Sequence, residues 1–286
     1  MSLSSSQLDA FAEVARNRSF SMAAKRLHIT QSALSQRILN LEHEISTSLI
    51  IREPSGLRLT PAGEELLRFC QAKANLEQEA MARISGAGSQ YTGAIRVGAF
   101  SSITRSVIMP AISDLIKKSG GIHIEIFTRE LRELPLMLAR NETDFIFTTS
   151  DPRKDDVEAH LVGYEENVLI ESQHGTSNPE VYFDHDPEDQ TTTMFFRNQK
   201  ETPPKIRRAY LDEIHAIIDA VAAGWGRAVV PRHLIRDNRD VRVAKGFKSL
   251  KTPVFLCFYK QAYYSKTHQA IFHDLNKNVR AKLIAK

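Results

Sequence analysis

The chain has 286 residues, 42% apolar and 25% charged, with a net charge of +4 and two cysteines. That length allows a small domain beside a larger one, and the composition excludes collagen-like, extensively disordered and disulfide-stapled chains. No apolar run approaches the roughly 20 residues that span a bilayer, and Met1-Ser2-Leu3-Ser4-Ser5-Ser6-Gln7 lacks the basic-then-apolar order of a secretory signal, so the cytoplasm is the expected compartment.

Cys70 and Cys257 lie far apart among apolar neighbours, without metal-ligand spacing, and read as buried free thiols. The mild basicity says less than its distribution. Between residues 16 and 58, Arg16, Arg18, Lys25, Arg26, Arg37, Arg52 and Arg58 face only Glu42, Glu44 and Glu53.

Leu8, Phe11, Ala12, Val14 and Ala15 recur at spacings of three and four, which predicts a helix of about three turns ending near Asn17-Arg18-Ser19. Ser19 or Ser21 can cap a short second helix over residues 21–27. After a break at His28-Ile29, Thr30 caps a third helix over residues 31–42. Its buried stripe is Leu34, Ile38 and Leu41, extended by Ala33 and Ile45. The opposite face carries Gln31, Ser32, Ser35, Gln36 and Asn40.

Two short helices, a tight turn and a polar second face suit the DNA major groove, which admits one helix. Gln pairs bidentately with adenine and Ser serves either hydrogen-bond sense. Ser21, Thr30, Gln31, Ser32, Ser35 and Gln36 are the candidate contacts, and Lys25 and Arg37 reach phosphates, which fix register. Residues 49–60 then place two apolar segments around Pro54-Ser55-Gly56, which predicts a hairpin wing with Arg52 and Arg58 at a backbone or minor groove.

Here the sequence resembles the LysR-type transcriptional regulators. The resemblance rests on Ala23-Ala24-x-x-Leu27-x-x-Thr30-Gln31-Ser32-Ala33-Leu34-Ser35-x-x-Ile38-x-x-Leu41-Glu42, then Leu49-x-x-Arg52 and Leu59-Thr60-Pro61-Ala62-Gly63. Two positions depart from the family pattern. Ile45-Ser46 stands where Leu-Gly is usual, and Ile50 where Phe is usual. Neither touches the expected DNA face.

Pro61 suits a first helical position, and good helix formers fill the chain to about residue 84. Ala62, Phe69 and Leu76 recur every seven residues. Leu67, Cys70, Ala74, Met81 and Ile84 make a second stripe. A long helix packed on both a partner copy and its own winged domain is one reading, and burial within one chain is the other. The resemblance implies the dimerising linker. Ser85-Gly86-Ala87-Gly88-Ser89-Gln90 reads as a hinge.

From Tyr91 onward, strands are expected at residues 94–100, 122–128, 144–149, 168–170, 193–196, 227–230 and 254–259. Helices are expected at 103–118 (kinked or split by Pro110), 131–139, 206–223 and 268–282. This alternation predicts an α/β domain with largely parallel sheets in two lobes. The resemblance implies a two-lobed effector domain like periplasmic binding proteins. It is carried by Ile95-x-Val97-Gly98, Met109-Pro110, Asp144 and Ala223-Gly224-x-Gly226-x-Ala228-x-Val230-Pro231, with Lys118-Ser119-Gly120-Gly121 replacing the family's Tyr-Pro.

A cleft ligand belongs at strand C-terminal ends and helix N-termini, where amides are free. Ser101, Ser102 and Thr104 fit a carboxylate or another small anion there. Thr149 and Ser150 end a further strand, and Arg197 and Trp225 are expected to close the pocket from the second lobe.

The chain has no Gly-x-Ser-x-Gly elbow, His-Glu-x-x-His helix or phosphate loop. Gly224-Trp225-Gly226 reads as tight packing, and Asp184-His185-Asp186 as a solvated loop. Neither enzymatic activity, a cofactor nor a metal is expected. The division expected is a winged helix-turn-helix domain over residues 1–60, a linker helix and hinge over 61–90, and an effector domain over 91–286. The expected function is a DNA-binding regulator, dimeric or tetrameric, that binds double-stranded operator DNA and a small-molecule effector and does not associate with membranes. The rival is a solute-binding or enzymatic α/β protein with an incidental helical head.

Overall fold

Helix α1 (Ser5–Asn17) packs Leu8, Phe11 and Val14 inward and stops where Arg18 turns left-handed, at φ 49°. These and the other elements come from a computed structural model that describes residues 3–53, 56–84, 91–175, 177–199 and 205–283. The hairpin tip Pro54-Ser55 and the expected hinge over 85–90 lie outside them.

Ser19, not Ser21, caps helix α2 (Phe20–Arg26): its hydroxyl accepts the Met22 N–H at 3.3 Å. Thr30 likewise caps α3 (Gln31–Glu44) by accepting from the Ala33 N–H at 3.2 Å. Leu34, Ile38 and Leu41 are buried as expected, but Ala33 is exposed. One residue is about 100° of helix, so the neighbour of a buried Leu34 is carried off that face. Ser46 adopts φ 52°, the conformation glycine takes most cheaply after a helix.

The wing pairs β1 (Ile50–Glu53) antiparallel with β2 (Gly56–Leu59). Glu42 ties it to α3 by accepting from the Leu49 and Ile50 amides at 2.6 and 3.2 Å. The Leu-Thr-Pro-Ala-Gly run then opens α4 (Pro61–Ile84). The Thr60 hydroxyl accepts from the Gly63 N–H at 3.0 Å, and a side chain at Gly63 would stand 2.2 Å from the Leu49 carbonyl oxygen. One apolar cluster joins α1, α2, α3 and the wing to Leu67 and Cys70 of α4.

Among the described residues, the rest of the chain builds nine strands into one sheet, in the order β4-β3-β5-β11-β6-β9-β7-β8, with β10 beside β6. Its first lobe holds β3 (Thr92–Ala99), β4 (Gly121–Thr128) and β5 (Phe145–Thr148), mutually parallel around β3. Its second holds β7 (Val181–Asp184), β8 (Arg207–Tyr210) and β9 (Arg227–Pro231), parallel around β7. Two long strands cross between the lobes. β6 (Val157–Ser172) pairs antiparallel with β11 (Leu250–Tyr259), and β10 (Val241–Val243) pairs antiparallel with β6. The sheet is therefore mixed, where largely parallel sheets were expected.

Helices cover both faces. In lobe 1, α5 (Ser101–Ile103) runs through a π-helical turn (Thr104–Ile108) into α6 (Met109–Ser119), and α7 (Leu134–Ala139) follows β4. The interruption expected near Pro110 is that π turn. Pro110 itself sits in the first turn of α6, where its missing N–H is no loss. In lobe 2, residue alternation sends Val168 and Ile170 of β6 to α9 (Ile214–Ala222), and Leu169 to α8 (Thr191–Arg197) with Phe195 and Phe196. Helix α10 (Lys266–Lys282) closes the lobe 1 core through Ile271, Leu275 and Val279.

Three local expectations are corrected. The segment 193–196 is helix, not strand, because Thr192, Phe195 and Phe196 bury together at i, i+3 and i+4. The helix expected over 206–223 is a strand followed by a helix that begins afresh where the Glu213 carboxylate accepts from the His215 and Ala216 amides. Asp184 is buried rather than solvated, held by Arg208 and Thr192 at 2.5 Å each.

Candidate nucleic-acid interface and inter-lobe cleft

The two caps fix how α3 is presented. With Leu34, Ile38 and Leu41 anchored, Gln31, Ser32 and Gln36 are exposed and Ser35 and Arg37 half-buried. Ser21, at the start of α2, donates to Gln31 Oε1 at 2.9 Å, and the Thr30 and Ser32 hydroxyls stand 3.0 Å apart. Ser21, Thr30, Gln31 and Ser32 therefore form one contiguous polar patch at the N-terminal end of α3. Gln36 turns toward Asn40, donating at 2.9 Å. Lys25 is exposed on α2.

Both wing arginines are exposed but anchored. The Arg52 guanidinium lies 4.5 Å over the Phe20 ring, which links the wing to α2. Arg58 pairs with Glu53 at 2.9 Å across the hairpin.

On lobe 1, the strand ends bring the expected cleft residues together. Ser101, Ser102 and Thr104 follow β3, and Thr149 and Ser150 follow β5. Thr128, at the end of β4, donates to Thr104 at 3.3 Å, and Thr148 Oγ1 donates to the Ser150 carbonyl at 2.7 Å. On lobe 2 the expected residues do not reach this edge. Trp225 precedes β9, and β9 runs parallel to β7, so Trp225 lies at the strands' N-terminal end. Arg197 is the last residue of α8, whose first turn is the part that follows β7. The strand direction places His185, Asp212 and His233 at the cleft instead, because each follows the C-terminal end of a parallel strand.

A buried hydrogen-bonded chain crosses between the lobes. Ser102 Oγ donates to Glu165 Oε1 at 2.7 Å, His233 Nε2 stands 2.9 Å from the same oxygen, and Ser106 Oγ lies 3.0 Å from His233 Nδ1. At the outer edge, His185 Nε2 meets Glu130 Oε1 at 3.0 Å and Arg132 pairs with Glu188. Sequence spacing gave no signal for these partners, because 68 positions separate Glu165 from His233 and 55 separate Glu130 from His185.

Helix α4 lies against lobe 1. Gln71 donates to Asp144 at 3.2 Å, Asp144 also accepts from the Arg96 guanidinium at 2.9 Å, and Arg68 covers the Tyr259 ring at 4.3 Å. Buried Glu79 accepts from the Tyr263 hydroxyl at 2.6 Å and from the Lys266 amide that opens α10. Phe69, Leu76, Met81 and Ile84, by contrast, are between 50% and 78% exposed, so α4 keeps an uncovered apolar face. Burial pushes the Cys70 and Cys257 thiols up to about 11, so neither is a thiolate at neutral pH. Among the described residues, no helix is long and apolar enough to cross a membrane.

The chain matches two family models, the bacterial regulatory helix-turn-helix protein of the lysR family over residues 5–64 and the LysR substrate binding domain over residues 88–279. The HTH-type transcriptional regulator HdfR of Yersinia enterocolitica is 32% identical over 157 residues, which is 55% of this chain and 53% of that protein. The chain thus spans about half the length of the curated relatives it matches. Among solved structures, ArgP from Mycobacterium tuberculosis superposes with a TM-score of 0.78 at 22% identity, covering 99% of each chain. Full-length LysG from Corynebacterium glutamicum with bound effector Arg gives 0.77 at 17% identity, covering 99% of this chain and 100% of that one. At such identity these likenesses speak for the fold.

Proposed function

Because the chain belongs to the lysR family of bacterial regulatory helix-turn-helix proteins, we propose that it is a transcription regulator that binds operator DNA through α3 and the wing. A small molecule held between its two lobes modulates that binding. The carrying observation is the capped, core-anchored α3, with the polar patch of Ser21, Thr30, Gln31 and Ser32 at its N-terminal end. That is the end a recognition helix directs at base edges. In this reading Gln31, Ser32, Ser35 and Gln36 read bases, while Lys25, Arg37, Arg52 and Arg58 contact the backbone.

The effector reading rests on Ser101, Ser102, Thr104, Thr149 and Ser150 sharing one edge of lobe 1. Their hydroxyls and amides suit an anionic group, and LysG, of the same fold, is described with bound arginine, which carries a carboxylate. The exposed apolar face of α4 supports self-association as a dimer or tetramer. The contacts of Gln71 and Glu79 give lobe 1 a hold on the linker helix, through which a ligand that favours one lobe arrangement can reorient the winged domains. In this reading the chain is a cytoplasmic regulator without catalytic activity, divided into the winged head, the linker and the effector domain.

A gel-shift series on genomic fragments in rising salt tests this. The expected result is sequence-selective binding that weakens steeply with salt. Folded protein with no sequence preference would overturn the reading.

A further inference from the structure

We propose that Glu130, His185 and Asp212 form a binding site for a divalent transition-metal ion at the mouth of the inter-lobe cleft. Their donor atoms all lie within 4.8 Å of one another. His185 Nε2 is 3.0 Å from a Glu130 oxygen and 3.0 Å from an Asp212 oxygen. A neutral imidazole carries one N–H and can place it toward only one of these oxygens. Neighbouring donors around a six-coordinate ion with bonds of about 2.1 Å lie about 3.0 Å apart, so an ion satisfies both contacts at once.

The backbone beside His185 and Asp212 is held in place, while the Asp212 side chain itself is 93% exposed. Each donor follows a strand end: Glu130 after β4, His185 after β7 and Asp212 after β8. The Leu211 amide donates to the Asp184 carbonyl at 3.1 Å, which sets the β8 end beside His185. Arg208 grips the buried Asp184 carboxylate and donates to the carbonyls of Asp186, Pro187 and Asp189. The loop that carries His185 is therefore fixed by an internal guanidinium. Imidazole with carboxylate selects zinc, nickel or a similar ion over magnesium and calcium, which take oxygen donors.

Glu130 belongs to lobe 1, and His185 and Asp212 to lobe 2, so the ion is a bridge between lobes. Binding needs the lone pair on Nε2 and leaves the ring proton on Nδ1. A protonated ring must release a proton to bind.

The test is calorimetric titration of metal-free, full-length protein with zinc chloride near neutral pH. The expected result is saturable binding at a single site per chain, lowered at least about tenfold by each of H185Q, E130Q and D212N, the loss that even outer partners of metal ligands give. H174Q, which removes the exposed His174–Asp240 pair, should leave the affinity unchanged. E130Q alters an accessible loop and keeps the test valid if H185Q fails to fold. Absence of saturable zinc binding, equal affinity for magnesium, or affinity indifferent to both H185Q and E130Q would overturn the proposal. No zinc binding together with a loss of stability in H185Q would overturn the metal site and leave a hydrogen-bond clasp between the lobes instead. Zinc binding by a chain that recognises no operator would remove the regulatory reading and keep this one.

Discussion

The winged head and the inter-lobe cleft place polar side chains in opposite circumstances. On α3, Gln31, Ser32 and Gln36 project to solvent from a helix whose other side is a closed apolar core. Their few internal bonds are exposed and exchange easily with a partner. In the cleft, Ser102, Glu165 and His233 are buried or nearly so and already satisfy one another. Under the proposed function, DNA binding would add contacts to a finished surface, whereas a cleft ligand would have to replace existing bonds with equivalent ones. An unsatisfied buried group would otherwise cost about 1–3 kcal/mol.

The largest effect is expected from Leu34→Ala. Leu34 is fully buried in the head cluster, and such truncations cost about 2–5 kcal/mol. Calorimetry should show the head melting early with the effector-domain transition unmoved, and gel shifts should show operator binding lost. A downward shift of both transitions would show that the regions are not separate units.

Acid should separate them in the other direction. Burial lowers His268 to about 4, against an ordinary value of 6.5, while the head's His28 and His43 are exposed. Below 6.5 the unfolded chain binds a proton that the folded chain refuses, so this stability is present above 6.5 and is lost as pH falls toward 4. At about 1.36 kcal/mol per unit it amounts to about 3 kcal/mol. Urea melts at neutral and acid pH should show the loss in the effector domain, and His268→Phe should flatten it.

Within the head, Gln31→Ala should lower affinity for the preferred operator by about 1–3 kcal/mol while sparing nonspecific binding. Arg37→Ala should weaken all sequences alike and reduce the salt slope by about one. Equal, sequence-independent losses from both would contradict their roles. The smallest effect is chemical. With both thiols raised to about 11, an aromatic disulfide reagent at mildly alkaline pH should label neither cysteine until the protein unfolds.

The head was legible because its determinants are local. Capping residues, the 34-38-41 stripe and the Thr60-Pro61-Gly63 opening of α4 each act within a few positions of chain, and the structure reproduces them nearly residue by residue. Even there, the anchoring of Arg52 on Phe20 needed the fold. In the effector domain, short apolar runs were ambiguous. Phe195-Phe196 fits a strand until Thr192 is seen to share its buried face, and one long helix over 206–223 is indistinguishable from a strand and a helix until Glu213 is seen capping.

By itself, then, the sequence determined the capped helices and hairpin of the head, the long helix α4 and the two-lobed α/β character, and it set Ser101, Ser102, Thr104, Thr149 and Ser150 after two parallel strands of lobe 1. Only tertiary structure decided the lobe 2 side. Parallel pairing of β7, β8 and β9 sets which strand ends face lobe 1. That brought His185, Asp212 and His233 to the cleft and left Arg197 and Trp225 at the far end. Contacts such as Glu165 of β6 with His233 of the turn after β9 join residues 68 apart, and no local pattern encodes a contact made only when β6 and β9 pair.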